Sequence, residues 1–189
     1  AVLLVSDIRD FTTISETQSP ETVFSTLNTH FQVMARAIRS HGGVIDRFLG
    51  DAVQAVFYGT EGQADPATRA IRAAADMMRG HHLLAVHRQR RNLFAYEMGV
   101  GIDAGDVVSG VVGDPTRRLD FMVLGDVIKQ AAELEALTKK STRTRIVCSG
   151  RVKRESVYEA LFSLLDEGVD AWELGQYPEQ TEFTTRETV

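Results

Sequence analysis

The sequence predicts an α+β fold built around a mixed or antiparallel sheet. Strand-like apolar runs and amphipathic helices follow the order β-α-β-β-α-β-β-β-α-β-α-β. Consecutive strands without an intervening helix argue against a doubly wound parallel sheet. The chain has 189 residues, of which 43% are hydrophobic, so it is long enough to bury a core. We therefore expect a single domain over 1–189, in which 170–189 form a short terminal strand and a tail.

The first strand and the first long helix have clear local signals. Residues 1–7 contain a continuous apolar run that predicts a buried strand. A helix is expected to begin at Pro20, because Ser19 is a good N-cap and proline suits the first helical position. The sequence His41-Gly42-Gly43 ends this helix. Its apolar face is formed by residues spaced three and four apart, which are Phe24, Leu27, Phe31, Met34 and Ile38.

The next segment, "GVIDRFLGDAVQAVFYG", predicts a β-hairpin that turns at Gly50-Asp51. Glycine in the first position of a two-residue turn suits the type II′ geometry. A second long helix is expected to begin at Asp65-Pro66. The polar, basic stretch "GHHLLAVHRQRRN" that follows is expected to end in a loop.

The second half of the chain predicts three strands, a helix, and then strand, helix and strand. The three strands are "EMGVGIDAG", "VVSGVVG" and "DFMVLGD". A helix is expected from about Val127 to Thr138, followed by the strand "TRIVCSG". We expect "VKRESVYEALF" to be helical and "AWELG" to be the last short strand. The remaining "YPEQTEFTTRETV" shows little periodicity and is expected to be a tail.

Charge and hydropathy argue against several functional classes. The net charge of −5 does not favour binding to nucleic acid or to an anionic membrane surface. Apolar stretches stay well short of the ~20 residues of a membrane-spanning helix, and the single cysteine, Cys148, cannot form an internal disulfide. We therefore expect a cytoplasmic domain that contacts neither nucleic acid nor membrane. Because the chain opens inside a strand, we also expect it to be part of a longer protein.

Two aspartates stand where an apolar strand meets a turn. Asp7 ends the first apolar run, and Asp51 lies in the predicted hairpin turn. A carboxylate at the end of a buried strand is costly unless it is paired or bound to a metal, although each alone could simply cap the following turn. Two such carboxylates together could hold two divalent cations over a phosphate chain.

Four segments extend this pattern in a recognisable order. Over roughly residues 2–150, "SDIRDFTTISE", "HGGVIDRFLGDAVQAVF", "GIDAGDVVSGVVG" and "LDFMVLGDVIKQAAELEAL" resemble the class III adenylate/guanylate cyclase catalytic domain. The resemblance implies a ferredoxin-like βαββαβ core with extra strands and helices. It also implies metal-dependent conversion of a nucleoside triphosphate, ATP by default, to a 3′,5′-cyclic nucleotide and pyrophosphate in signalling. Two Mg²⁺ or Mn²⁺ ions are implied, together with a dimer in which one subunit holds metals and phosphates and the other binds the base.

The resemblance assigns the metal and phosphate roles to the first and second segments. Asp7 and Asp51 match the two metal-binding aspartates, and Ile8 matches a position whose backbone carbonyl helps to hold a metal. Phe11 and Thr12 belong to a turn whose backbone N–H groups cradle the triphosphate. Asp10 replaces a glycine common in that turn, which adds a negative charge near the phosphates.

The positions that match the base-binding and ribose-binding half depart from the family pattern. Arg47 stands where adenylate cyclases usually carry a base-recognising lysine; as a donor it suits acceptors on adenine, cytosine or uracil. Met122 replaces an aspartate or threonine and offers no useful hydrogen bond. Lys129 and Glu133 replace the asparagine that orients the ribose and the arginine that stabilises the α-phosphate. Their spacing of four allows them to pair with each other on one helix face, and Lys129 could partly take over the cationic role.

Three hypotheses about function follow from these residues. The first is an active cyclase that works as a homodimer or as a heterodimer with another cyclase domain. The second is a weak or inactive cyclase homology domain, which serves as a regulatory or dimerisation module or as the metal-donating half of a heterodimer. The third is a cyclase for a pyrimidine nucleotide. Asp7 and Asp51 favour an enzyme, whereas Lys129 and Glu133 favour the second hypothesis.

Overall fold

A computed structural model describes residues 1–166 and 168–179. Its centre is a seven-stranded sheet in the order β2-β3-β1-β4-β7-β9-β8, and β5 and β6 form a separate hairpin. The only parallel pair in the described sheet is β4 with β7. The strands are β1 (Val2–Ile8), β2 (Val44–Leu49), β3 (Ala52–Phe57), β4 (Met98–Ala104), β5 (Val108–Asp114), β6 (Arg118–Leu124), β7 (Ile146–Ser149), β8 (Phe162–Asp166) and β9 (Ala171–Leu174).

The helices cover both faces of the sheet. The larger core lies between one face and the two long helices α2 and α3, whereas α4 packs on the other face against β1, β4 and β7. Short 3₁₀ helices occupy Thr138–Lys140 and Glu159–Leu161. No described helix combines the length and hydropathy needed to cross a membrane. The α-helices are α1 (Phe11–Thr17), α2 (Pro20–Ser40), α3 (Pro66–Arg90), α4 (Asp126–Leu137) and α5 (Gly150–Glu155).

The predicted α+β class and the ferredoxin-like core are both confirmed. The core path is β1-α2-β2-β3-α3-β4, and its four strands lie in the order β2-β3-β1-β4. This antiparallel arrangement places β1 in the middle, so β1 is buried on both faces. Leu4 joins the core under α2 and α3, while Leu3 joins the one under α4. The middle position of β1 carries Asp7 and Ile8 to one end of the sheet.

The local signals at the helix and turn boundaries act as expected. The Ser19 hydroxyl accepts a hydrogen bond from the backbone N–H of Thr22 at the start of α2. The Asp65 carboxylate accepts one from Thr68 at the start of α3. Gly50 has a positive φ of 63° and Asp51 does not, as a type II′ turn requires. The N-cap residues Ser19 and Asp65 therefore mark the starts of α2 and α3, and Gly50 marks the turn between β2 and β3.

The basic stretch from Gly80 is helical up to Arg90 and ends in a turn at residues 91 and 92, as predicted. Three other details of the sequence-based prediction are corrected. Residues 11–17 form the helix α1 instead of a turn, and β8 was not predicted. The helix expected over "VKRESVYEALF" ends at Glu155, since Ser156 is extended. Of the predicted tail, 177–179 have no regular structure, and 180–189 lie outside the described residues.

Candidate active site

Asp7 and Asp51 meet at the end of the central strand. β1 pairs with β3 in the register Ser6 to Val53, which brings the β2–β3 turn beside Asp7. The backbone N–H of Ile8 lies 3.1 Å from Asp7 Oδ1 and 3.2 Å from Asp51 Oδ2. A single donor therefore touches both carboxylates, which places them side by side as a pair.

The surroundings of Asp51 disfavour its ionised form. Burial, and secondarily the hydrogen bond and the negative charge of Asp7, raise the pKa of Asp51 to about 7. A divalent cation between the carboxylates would favour the ionised form of both. The hard oxygen donors fit Mg²⁺ or Mn²⁺.

The described residues contain no group of three or more His, Cys, Asp or Glu arranged to hold a metal ion. Mg²⁺ commonly takes one or two carboxylates and completes its shell with water and substrate phosphates. Asp7 and Asp51 match that kind of site, and their roles as metal ligands stay predictions.

The chain turns sharply after the metal candidates. Arg9 follows the last residue of β1 and donates its N–H to the Glu97 carbonyl at 2.8 Å. Asp10 then adopts a left-handed conformation with φ 54°, and α1 begins at Phe11. Aspartate is among the non-glycine residues that tolerate this region, which explains how it can occupy this position. Phe11 and Thr12 are the first residues of α1, where backbone N–H groups lack intrahelical partners.

Arg47 and Met122 lie on neighbouring strands that a buried aspartate joins. The side chain of Asp46 is fully buried and accepts hydrogen bonds from Arg47 Nε at 2.6 Å and Gln54 Nε2 at 2.8 Å. Its other oxygen accepts from the backbone N–H of Val123 at 3.2 Å, which ties the β5–β6 hairpin to β2. Asp46 was not singled out from the sequence; its only local signal is an acid directly beside Arg47.

Lys129 and Glu133 form the predicted pair on α4. Their charged atoms lie 3.5 Å apart, and their side chains are 82% and 64% exposed. The two residues border different hollows. Lys129 borders a cleft that Asp7 also lines, whereas Glu133 borders a second hollow beside Asp103. In this chain, therefore, Glu133 does not share the cleft with Asp7.

The cleft beside Asp7 has a volume of about 560 Å³ and runs between α4 and the ends of β1 and β3. Apolar side chains make up most of its wall, and a few polar groups converge on it, as in many small-molecule sites. The lining residues are Val5, Asp7, Leu49, Ala52, Gln54, Leu124, Gly125, Ile128, Lys129, Ala132 and Glu135.

Glu135, which lines this cleft, forms a buried ion pair with Arg9 that was not predicted from the sequence. Arg9 Nη2 lies 2.7 Å from Glu135 Oε1, and the two side chains are 13% and 6% exposed. Burial raises the pKa of the Glu135 carboxyl; Arg9 opposes this shift and Asp7 adds to it. The sequence carried no local sign of this contact, because the partners are 126 residues apart.

Comparison with known proteins places this geometry in a family. Residues 1–164 match the sequence model of the adenylate and guanylate cyclase catalytic domain. A protein of Anabaena cylindrica named adenylate cyclase is 33% identical over 171 residues, which cover 88% of this chain and 33% of that protein. A terminal-differentiation-specific adenylate cyclase of Dictyostelium discoideum is 33% identical over 167 residues, covering 88% of this chain and 7% of its own. The chain thus spans at most 33% of the length of these two relatives.

Solved structures give the same result. The crystal structure of the guanylyl cyclase Cya2 superposes with a TM-score of 0.80 at 28% identity, covering 95% of this chain and 93% of that one. A bacterial light-regulated adenylyl cyclase gives a TM-score of 0.81 at 26% identity, over 94% of this chain and 52% of that one. The resemblance noted in the four sequence segments is confirmed, and the chain belongs to the adenylate and guanylate cyclase catalytic domain family.

Proposed function

We propose that this domain is a metal-dependent nucleotidyl cyclase, with ATP as the default substrate. The observation that carries the proposal is the carboxylate pair of Asp7 and Asp51, which share the Ile8 N–H beside an open cleft. Both curated relatives described above are named adenylate cyclases, which supports ATP as the starting point. Mg²⁺ or Mn²⁺ is proposed as the cofactor, with two ions per site.

The chain's own groups have simple tasks in this proposal. Asp7, Asp51 and the carbonyl of Ile8 hold the cations, and the first N–H groups of α1 face phosphate oxygens. Bound divalent ions would supply Lewis-acid activation of the ribose 3′-hydroxyl and neutralise the triphosphate. A bond forms between the 3′-oxygen and the α-phosphorus, the bond from that phosphorus to the pyrophosphate oxygen breaks, and the hydroxyl proton passes to solvent.

A second cyclase domain is proposed to complete the site. Every residue of β5 in the β5–β6 hairpin is exposed. Cross-strand partners share a face, so Val108 with Leu124 and Val111 with Phe121 place apolar groups on opposite faces of the hairpin. Exposed apolar patches of this kind mark interaction surfaces. The exposed apolar residues of the hairpin are Val108, Val111, Val112, Leu119, Phe121 and Leu124.

Two alternatives each have an observation in their favour. The exposed, mutually paired Lys129 and Glu133 favour a weak domain that donates its metal-binding half to a different partner. Arg47 favours a base that presents acceptors, because within the described chain its Nη atoms form no hydrogen bond while Nε is held by Asp46. Such acceptors occur on cytosine and uracil as well as on adenine, so a pyrimidine nucleotide is the other alternative.

The proposal is tested by turnover of the purified domain. The dimeric fraction is incubated with ATP, GTP, CTP or UTP and Mn²⁺, and cyclic nucleotide and pyrophosphate are measured by mass spectrometry. We expect one nucleotide to give both products in equal amounts. If a folded dimer formed no product from any of the four nucleotides, a homodimeric enzyme would be contradicted. Activity that appears on adding another cyclase domain would then support the heterodimer.

The double substitution Lys129→Asn with Glu133→Arg is expected to raise kcat. If these positions face the α-phosphate across a dimer, restoring an arginine adds a donor worth roughly 10²-fold in rate. The measurement is steady-state cyclase kinetics of folded, dimeric protein. Glu61→Gln, which gives the same net gain of one positive charge in an exposed loop, is the matched control. An unchanged kcat in the double variant would show that this part of α4 does not line the reacting phosphate.

A further inference from the structure

We propose that Arg9 and Glu135 are a positioning pair that sets the end of β1, and with it Asp7 and the turn into α1, against α4. This inference rests on the proposed function, in which Asp7 holds a divalent cation. Neither residue is expected to touch the nucleotide. Their task is to fix the geometry of the groups that do.

The contacts of Arg9 form a clamp between β1 and the C-terminal part of α4. Its Nη2 atom contacts the Glu135 carboxylate at 2.7 Å and the Glu135 backbone carbonyl at 3.0 Å, and it donates to the Thr138 hydroxyl. One guanidinium nitrogen thus meets three oxygens at the point where α4 passes into a 3₁₀ helix. This cluster joins the end of β1 to the C-terminal end of α4.

A glycine beside Asp7 makes room for the clamp. Gly99 is the cross-strand partner of Asp7 in the β1–β4 ladder. A Cβ atom at Gly99 would lie closer than 3.0 Å to Arg9 Nη2, Thr138 Oγ1 and Glu135 Oε1. The ion pair therefore packs against the backbone of Gly99, the residue that lies opposite Asp7 in the β1–β4 ladder.

Two features place the clamp next to the proposed site. Glu135 and Asp7 line the same cleft. Arg9 is also the single residue between the end of β1 at Ile8 and Asp10, whose left-handed conformation precedes α1. A shift of Arg9 would move Asp7 and Ile8 on one side and the first N–H groups of α1 on the other. The clamp is therefore placed to control both the metal and the phosphate contacts.

Stability alone does not explain such a pair. Replacing both members of a buried ion pair by apolar residues of similar size is often neutral or stabilising, whereas removing one member leaves a buried charge. The double substitution Arg9→Met with Glu135→Met therefore separates the two roles. A structural pair predicts a folded protein with unchanged metal binding, and a positioning pair predicts a folded protein with weakened metal binding.

The experiment compares wild type, the double variant and Glu135→Gln, which keeps an acceptor but removes the charge. Thermal melting reports folding, and electron paramagnetic resonance of free Mn²⁺ reports metal affinity with and without α,β-methylene ATP. Cyclase kcat is the third readout. The matched control is Arg151→Met with Glu155→Met, an exposed ion pair at 2.8 Å that lies outside the cleft.

We expect the double variant to fold but to bind Mn²⁺ about 10–100-fold more weakly, the usual effect of losing a group that orients a metal ligand. The kcat should fall by a similar factor, and Glu135→Gln should lie between the double variant and wild type. Wild-type Mn²⁺ affinity in a folded double variant would overturn the positioning role while leaving the proposed function intact. Absence of Mn²⁺ binding by the wild type would overturn the proposed function and the positioning role together.

Discussion

An Asp51→Asn variant is expected to lose cyclase turnover by more than about 100-fold and to gain stability when no metal is bound. The loss follows because Asp51 is a proposed direct ligand, and even groups that only orient ligands are worth about 10–100-fold. The gain follows because burial and Asp7 raise the pKa of Asp51 to about 7, so the ionised carboxylate destabilises the metal-free fold. Steady-state kinetics with Mn²⁺ measure the first effect, and turnover that persists would contradict the metal assignment of Asp51.

The stability gain has a definite dependence on pH. The pKa of Asp51 is about 7 in the fold and rises from an ordinary value of 3.8, so the folded state holds an extra proton between these pH values. The contribution of Asp51 is therefore fully favourable below about pH 4 and is lost as pH rises through 7. Because Asp51 is partly open to solvent, we expect the asparagine variant to be more stable than wild type by on the order of 1–2 kcal/mol at pH 8.

Urea unfolding of metal-free protein at pH 5 and pH 8 measures this difference. Comparing the variant with wild type at each pH cancels the titration of other groups. Glu16→Gln, on the exposed side of α1, serves as the control and should leave the wild-type profile unchanged. If the free energies of unfolding of Asp51→Asn and wild type changed in parallel from pH 5 to pH 8, the raised pKa assigned to Asp51 would be wrong.

A Gly101→Ala variant is expected to lose roughly 3 kcal/mol or more of folding stability, at the upper end of what overpacking costs. A Cβ atom at this position would lie closer than 3.0 Å to the carbonyl of Ala131 and to the backbone N of Glu135. These are backbone atoms of α4, so no side-chain rotation relieves the clash and the helix itself must move away from β4. Because the same helix carries Lys129 and Glu135 beside the cleft, activity should fall as well.

The free energy of unfolding in urea measures this effect directly. Gly59→Ala is the matched control, because a Cβ atom there meets open space and the substitution should change stability little. If Gly101→Ala were as stable as Gly59→Ala, the close approach of α4 to β4 would be wrong.

The sequence predicted those parts of the fold that have local physical signals. Ser19 and Pro20 mark a helix start by capping, and Gly50 marks a hairpin by its positive φ. The helix α1 was missed because its seven residues, "FTTISET", carry too few turns for a helical period to show. The strand β8 was missed because its apolar residues do not alternate cleanly; Phe162 is buried and Leu164 is exposed.

The same distinction applies to the site. Asp7 and Asp51 could be singled out because a carboxylate at the end of an apolar strand is costly wherever the chain goes next. Arg9 with Glu135, and Asp46 with Val123, could not, because these contacts join residues 126 and 77 positions apart. These partners become apparent only when α4 packs on β1 and when the β5–β6 hairpin meets β2.

The buried carboxylate of Asp46 has a consequence for protein engineering. Arg47 is predicted to contact the base and would be an obvious residue to change in redesigning specificity, but Arg47 Nε is one of three donors that satisfy Asp46. Exchanging Arg47 for an apolar or acidic residue would remove the charged donor and leave the buried Asp46 carboxylate with two neutral donors, Gln54 Nε2 and the Val123 N–H, at a cost in stability. Libraries that vary Asp46, Arg47 and Gln54 together should therefore yield more stable variants than libraries that randomise Arg47 alone.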